Sequence, residues 1–492
     1  MVYTGRAFKN RPGTSITKPL LQSSSCPFVR RTIAIRRAVL AIDIRASRCG
    51  EVVVTGRLIY LIQLQSPPAS SLKRRSRLLR FIDQSLRLTG CVKTEHCMKP
   101  KSFHRLASRM SHIAPFEVME IQTAARELER QGRDVIHMEI GEPDFSTPRP
   151  IVDAAIAALN DKPMYYTSAL GIEPLREAIA AFYATKYGVT VSKDRIIVTS
   201  GSSAALLLAF GVLLNPGDEV LMADPGYPCN RHFVRAMEGV PRPIAVGPEH
   251  EYQLAASHIG SHWNERTVAT LVASPSNPTG TLITPDELKR IHAEVSVRGG
   301  TLIVDEIYQG LTYGVTPFTA LSLDENAGDD VFVINSFSKY FQMTGWRLGW
   351  LVVPPAYVRE VEKLAQNLFI SASTPAQYAA LAAFHPETLA ILEQRRAEFQ
   401  TRRDFLMPAL TALGFKIPVV PQGAFYIYAD SSQIASDSFE LSRRLLRQAN
   451  VALTPGKDFG RAAPERHIRI AYTQTVARLA EAIERMRGAI NA

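Results

Sequence analysis

From Met110 onward, short β-branched runs alternate with longer helical patterns, and this alternation limits what the chain can fold into. The runs lie at 195–199, 219–223, 268–273, 301–304, 331–335 and 348–353, with a helix expected through 204–214. Buried apolar strands joined by helices are the mark of parallel βαβ units, in which helices cover both faces of a sheet. In such sheets ligands gather beyond the carboxyl ends of the strands, so chemistry is expected where each run stops.

Composition removes other classes. The chain has 492 residues, 46% apolar and 21% charged, ordinary globular usage that excludes a collagen-like, disulfide-scaffold or wholly disordered chain. No apolar run is long enough to span a bilayer, and the longest, 204–214, reads as a buried helix. The net charge of +11 is unevenly distributed: residues 1–109 hold 22 Lys+Arg against 4 Asp+Glu, whereas residues 110–492 hold 35 against 42. The body is therefore mildly acidic, which argues against nucleic acid as its partner. Cys26, Cys49, Cys91 and Cys97 lie in the first segment and only Cys229 in the body, a usage that suits a reducing compartment.

Four strand ends carry polar motifs. Residues 196–199 run into Ser200-Gly201-Ser202-Ser203 and a helix, where glycine permits a tight turn and backbone N–H groups face outward. That is a generic anion cradle, although serine is equally a common N-cap. In Ala273-Ser274-Pro275-Ser276-Asn277-Pro278-Thr279-Gly280, two prolines stiffen the loop around one asparagine; an ordinary Pro-rich turn reads the same way. Thr301-Leu302-Ile303-Val304-Asp305-Glu306-Ile307-Tyr308 delivers a carboxylate to the edge of the sheet, where it needs a cation or a donor. Ser336-Phe337-Ser338-Lys339 follows the next run, and Arg347 lies eight residues beyond the lysine. An amine at that place, close to an anion site, is suited to forming an imine.

Together these segments resemble the class I/II aminotransferases, the fold type I enzymes that use pyridoxal 5′-phosphate, over essentially all of residues 110–492. Seven motifs stand in the family's order: Gly141-Glu142-Pro143-Asp144-Phe145, Tyr166 before Gly171, the turn 200–203, the loop 274–280, Asp305-Glu306-Ile307-Tyr308, the segment 336–347, and Arg469. Within the family the likeness is to the bacterial aspartate and aromatic branch, with Gly423-Ala424-Phe425-Tyr426 and Pro455-Gly456 also in place. The resemblance implies an α/β fold. A large cofactor domain, roughly 150–390, would hold a mostly parallel sheet between helices, and 110–149 with 391–492 would form a smaller α/β domain.

The resemblance also implies roles, residue by residue. Lys339 would hold the cofactor as an imine and shuttle a proton between the substrate α-carbon and the cofactor C4′ carbon. Asp305 would keep the pyridine nitrogen protonated, while Asn277 and Tyr308 would donate to the phenolic oxygen. Ser202, Ser203, Ser336 and Arg347 would surround the phosphate. Tyr166 would reach the phosphate from a neighbouring subunit, which implies a homodimer with composite sites. Tyr227 would stack on the ring. Arg469 would take the substrate α-carboxylate bidentately, beside Gly141 and Asn277. No metal, nucleic acid or membrane is implied.

The reaction so implied is transfer of an amino group from an L-amino acid to a 2-oxo acid in a ping-pong cycle. A β-lyase on the same fold and an aminotransferase-like transcription regulator are the alternatives. Tyr227 stands where dicarboxylate-specific members often carry tryptophan, and no arginine matches a substrate side-chain carboxylate, which leaves the amino donor open.

Residues 1–109 read as a basic, disordered extension, rich in Arg and Ser, with apolar scraps at 52–54 and 58–62 but no bounded strands. Three readings stand: a start set upstream of a natural Met110, an organellar transit segment, or a basic nucleic-acid-binding arm. The first implies a cytoplasmic protein and the second an organellar one. Cys91, His96, Cys97 and His104 match no common zinc spacing, and 73–77 reads as a solvated charge run.

Overall fold

The computed structural model describes residues 106–323 and 331–491, together with the backbone of four short strands upstream. β1 (Ala34–Ile35) pairs antiparallel with β2 (Ala38–Val39), and β3 (Ile42–Ala46) with β4 (Val52–Gly56). Bounded strands are not expected there from the sequence. The β-branched residues of 42–44 and 52–55 nevertheless suit a pleated ladder. The residues 58–62, 73–77 and the candidate zinc group 91–104 lie outside the described residues. The chain divides into two compact units, Met1–Ser102 and Phe103–Ala492. The second carries everything that follows.

Its strands are β5 (Ile136–His137), β6 (Ile196–Thr199), β7 (Glu219–Asp224), β8 (Val240–Ala245), β9 (Thr267–Ala273), β10 (Thr301–Asp305), β11 (Val331–Ser336), β12 (Gly349–Val352), β13 (Tyr426–Asp430), β14 (Val451–Ala452), β15 (Thr454–Pro455) and β16 (His467–Ala471). Seven of them form one sheet in the order β6-β12-β11-β10-β9-β7-β8. All six runs read from the sequence are strands of this sheet, each within one residue at either end. Two features depart from that reading. β8 is an unread edge strand: its two prolines interrupt the apolar pattern and remove ladder donors, a loss tolerated where only β7 is paired. β12 runs antiparallel to both β11 and β6. The connection 337–348 contains only a short 3-10 turn, Thr344–Trp346, and parallel strands need a crossover.

Side chains of the central strands alternate between two apolar clusters, as a pleated strand requires. Leu302, Val304, Val331, Val333 and Trp350 face one cluster, while Ile303, Phe332, Ile334 and Leu351 face the other. The helices Gly201–Leu213 and Val358–Leu368 cover the second face, and Glu173–Tyr187 and Pro285–Ser296 contribute to the first. Pro285–Ser296 starts where Thr284 Oγ1 accepts from Glu287 N at 3.3 Å, with Pro285 in the first turn and Asp286 and Glu287 complementing its dipole.

A second, three-stranded antiparallel sheet has the order β13-β16-β15, and β14 pairs in parallel with β5 through Val451 and Ile136. Residues near 136 and near 451 thus share one ladder. Ile121 and Ala125 of the helix Glu117–Arg130 pack with Leu446 of Ser438–Ala449 over this ladder. Among the described residues no helix is long and apolar enough to cross a membrane.

The segment 141–145 is held to the long helix Pro386–Ala412 by a buried charge. Arg402, 2% exposed, donates from Nη1 to Asp144 Oδ1 at 2.7 Å and from Nε to Glu398 at 3.1 Å, and its guanidinium lies 4.8 Å from the Phe145 ring centre. Removing one partner of a buried pair leaves a desolvated charge, a cost of roughly 3–5 kcal/mol. Asp144→Ala is therefore expected to destabilise the protein by up to about 3 kcal/mol, Glu398 remaining as a partial partner. The double variant with Arg402→Met should recover part of that loss in urea unfolding. A double variant no more stable than the single one would show that the stranded charge is not the cause.

Candidate active site

The carboxyl ends of β6, β9, β10 and β11 open onto one cavity of about 310 Å³. The parallel register sets Asp305, the last residue of β10, beside Ile334 of β11, and Lys339 follows three residues after β11 ends. Both Asp305 and Lys339 line the cavity. Asp305 is buried and accepts a hydrogen bond from Ile307 N at 3.1 Å. Burial pushes its carboxyl up to about 7, against the opposing pull of that hydrogen bond and of the Lys339 charge. Burial also lowers the Lys339 amine to about 8, and the charges of Arg469 and Arg347 act in the same direction. Its Nζ donates to Gly141 O at 2.5 Å and sits 5.7 Å from the centre of the Tyr308 ring.

At one end of the cavity the residues are arranged for an anion. The helix Gly201–Leu213 begins without a side-chain cap, so its first N–H groups are available, with Ser202 and Ser203 in that first turn. Gly201 has φ +78°, and a Cβ there would lie 2.5 Å from Arg347 Nη2; only glycine lets the guanidinium approach this turn. Arg347 Nη1 donates to Thr344 O at 3.1 Å and to Ser338 Oγ at 3.4 Å. Ser336 lines the same end, although its hydroxyl accepts from Ser338 N at 3.0 Å and donates to Leu348 O at 3.3 Å.

At the other end Arg469, buried on β16, donates from Nη1 to Asn277 Oδ1 at 3.0 Å and from Nη2 to Glu139 O at 2.5 Å and Thr454 Oγ1 at 3.2 Å. Its Nε is buried without a hydrogen-bond partner. An orphaned donor of that kind suits an incoming carboxylate. The bond from Arg469 engages the oxygen of Asn277 and leaves its amide nitrogen to donate. Tyr308 is buried, and its hydroxyl pairs with that of Tyr426 at 2.9 Å. Gly141 is required here too, since a Cβ would collide with the Tyr426 hydroxyl.

The cavity therefore gathers Gly141, Ser202, Ser203, Tyr227, Asn277, Asp305, Tyr308, Ser336, Lys339, Arg347 and Arg469. Tyr166 stands apart, 80% exposed and not part of the lining. Reasoning from the sequence overlooked Ser338, although it adjoins Lys339, and Tyr426, although its motif is recognisable. It also missed Phe116, Val118, Met119 and Asp458, which complete the wall near Arg469. These residues match the needs of pyridoxal 5′-phosphate: a buried carboxylate for a cationic ring nitrogen, an uncapped helix start with Arg347 for a phosphate, and a low-basicity amine for an aldehyde.

Comparison with known proteins agrees. Residues 133–486 match the family described as aminotransferase class I and II. The valine–pyruvate aminotransferase of Mycobacterium tuberculosis is 38% identical over 76% of this chain and 96% of its own length. A (5-formylfuran-3-yl)methyl phosphate transaminase of Methanocaldococcus jannaschii is 37% identical over 78% of this chain and all of its own. Among solved structures, an aminotransferase from Mycobacterium tuberculosis superposes with a TM-score of 0.75 at 38% identity, covering 79% of this chain and 99% of that one. The Thermus thermophilus aspartate aminotransferase with maleate gives 0.74 at 34% identity, covering 78% and 100%. The fold, the site and these likenesses converge: the chain belongs to the class I and II aminotransferases, enzymes that depend on pyridoxal 5′-phosphate.

Proposed function

We propose that Lys339, Asp305 and Arg469 are the working centre of an enzyme that moves the amino group of an L-amino acid to a 2-oxo acid, the two substrates occupying one site in turn. The observation that carries this reading is a half-buried lysine of lowered basicity sharing one cavity with a buried carboxylate and a half-satisfied arginine. When bound, pyridoxal 5′-phosphate supplies an aldehyde that takes up amines covalently and a ring that accepts the electron pair left at the substrate α-carbon.

The chain's own residues bind, orient and move protons. Arg469 grips the α-carboxylate with a planar fork, its free Nε among the donors. With the cofactor bound, Lys339 Nζ would take the proton from the substrate α-carbon and give it back on the cofactor side, base work followed by acid work at a single nitrogen. Asp305 holds a proton on the ring nitrogen: burial alone favours its neutral form, and a cation placed against it restores the carboxylate. Asn277 and Tyr308 donate to the phenolic oxygen. Ser202, Ser203, Ser336, Ser338 and Arg347 fix the phosphate away from the reacting atoms. The half-reactions mirror one another, so a second 2-oxo acid meets the same residues in the reverse order.

The same reading makes the enzyme a homodimer. Met164, Tyr165 and Tyr166 are exposed together on one loop, an apolar surface suited to burial by a second copy. In that dimer Tyr166 serves the phosphate of the neighbouring site, and Tyr227 stacks on the ring of its own.

Lys339→Ala should lower turnover by at least about 100-fold and abolish the lysine-linked absorbance of the bound cofactor. Because a neutral amine is needed to take up the aldehyde, cofactor uptake by the apoprotein should rise with pH up to about 8 and then level off. A flat profile between pH 6 and 8 would remove Lys339 from this role. For the dimer, Tyr166→Ala should weaken cofactor retention roughly tenfold, the worth of one hydrogen bond to a charged group, while sedimentation still reports a dimer. Unchanged retention would detach Tyr166 from the phosphate.

A further inference from the structure

The cavity has a wall that the chemistry above leaves without a task. Beyond Arg469 it is formed by Phe116, Val118, Met119, Ile140 and Phe459. Phe116 and Val118 are only half-buried, and Met119 is 51% exposed, although all three are large apolar groups facing a concave site. They lie at the start of the helix Glu117–Arg130, whose N-cap, Phe116, has no side chain able to satisfy the first N–H groups. Asp458 does so from elsewhere in the chain. Its two oxygens accept from Glu117 N at 2.6 Å and Val118 N at 2.8 Å, and its backbone oxygen accepts from Arg231 at 2.6 Å. A carboxylate on a helix N-terminus joins two hydrogen bonds with a favourable dipole. The wall is thereby fixed in place by a residue more than 300 positions away.

Charge in the cavity is unevenly divided. Its described cations are Lys339, Arg347 and Arg469, which the proposed reading commits to the aldehyde, the phosphate and the α-carboxylate. Asp458 and Glu139 are the acids at the end that a substrate side chain would enter; Glu139 Oε1 pairs with His137 Nδ1 at 2.8 Å while its Oε2 is buried without a partner, and both Asp458 oxygens are held by backbone N–H groups. A second substrate carboxylate would there lose its water, meet the Asp458 carboxylate and find no uncommitted cation among the described lining residues, whereas an apolar side chain would cover exposed apolar surface.

We infer that the preferred amino donor carries an apolar side chain, branched or aromatic, and that Asp458 is a positioning residue which holds Phe116, Val118 and Met119 against it. This rests on the aminotransferase reading of the same site. A methylene or two in an apolar pocket is worth about 10–200-fold in kcat/KM, and stranding a charge there costs more.

The test is single-turnover conversion of the cofactor bound to the holoenzyme, followed by its absorbance, with leucine, phenylalanine, alanine, aspartate and glutamate. Leucine or phenylalanine should exceed aspartate and glutamate by at least about tenfold in kcat/KM. Faster conversion by either dicarboxylate would overturn the inference and leave the enzyme an aminotransferase. Conversion by none of the five would instead remove the aminotransferase reading itself. Asp458→Ala should reduce kcat/KM for the apolar donors about tenfold, chiefly through KM, and leave alanine, too short to reach the wall, nearly unchanged. Asp458→Asn, which keeps an acceptor, should fall between the two. An equal loss for every donor would mark Asp458 as merely structural and overturn its assigned role.

Discussion

Two opposite ionisable groups, Asp305 buried and Lys339 half-buried, at and just beyond the ends of adjacent parallel strands are the constraint on which this site turns. Each would be stabilised by charge if exposed, and burial drives each toward its neutral form, Asp305 up and Lys339 down. The sheet imposes the cost. Its register places Asp305 opposite Ile334 and brings the chain to Lys339 within one short turn of β11. The amine of lowered basicity and the cation-seeking carboxylate are both consequences of strand order, with apolar residues filling both faces of the sheet behind them.

The anion end relies on backbone conformation as much as on side chains. Gly201 takes φ +78° and Arg347 φ +52°, the first cheap for glycine and the second uncommon for a side chain of that size. The two are coupled, because the missing Cβ at Gly201 is what lets the Arg347 guanidinium reach the start of the helix. Local strain is tolerated where the surroundings over-determine it. Here the antiparallel return of β12 between β6 and β11 fixes both ends of the lysine loop.

What could be read in advance follows the same physics. Six of the seven strands were legible because strands buried on both faces must be continuously apolar, and that signal is local. β8 was not, because its prolines imitate a turn, and the direction of β12 depended on a missing crossover rather than on its own residues. The two-residue strands β5 and β14 carry no pattern of their own and exist only through each other. Among site residues, Lys339, Asp305 and Arg469 stand in motifs that a resemblance can match. Asp458 does not: a lone aspartate has no signature, and its partners are backbone N–H groups far along the chain.

The same non-local contacts separate the tasks of recognition and chemistry. On the proposed reading, proton transfer and the phosphate anchor belong to the large sheet. The proposed grip on the substrate belongs to the small one, where Thr454 of β15 stands opposite Arg469 of β16 in register. Thr454 Oγ1 and Arg469 Nη2 both donate to Glu139 O, and Asp458, in the turn just after β15, holds the start of the helix bearing Phe116, Val118 and Met119. Arg469 and the apolar wall of Phe116, Val118 and Met119 are thus tied to one hairpin. A displacement of that hairpin would carry Arg469 and the wall together relative to Lys339, so a donor gripped as proposed would have its side chain presented to the wall by the same element.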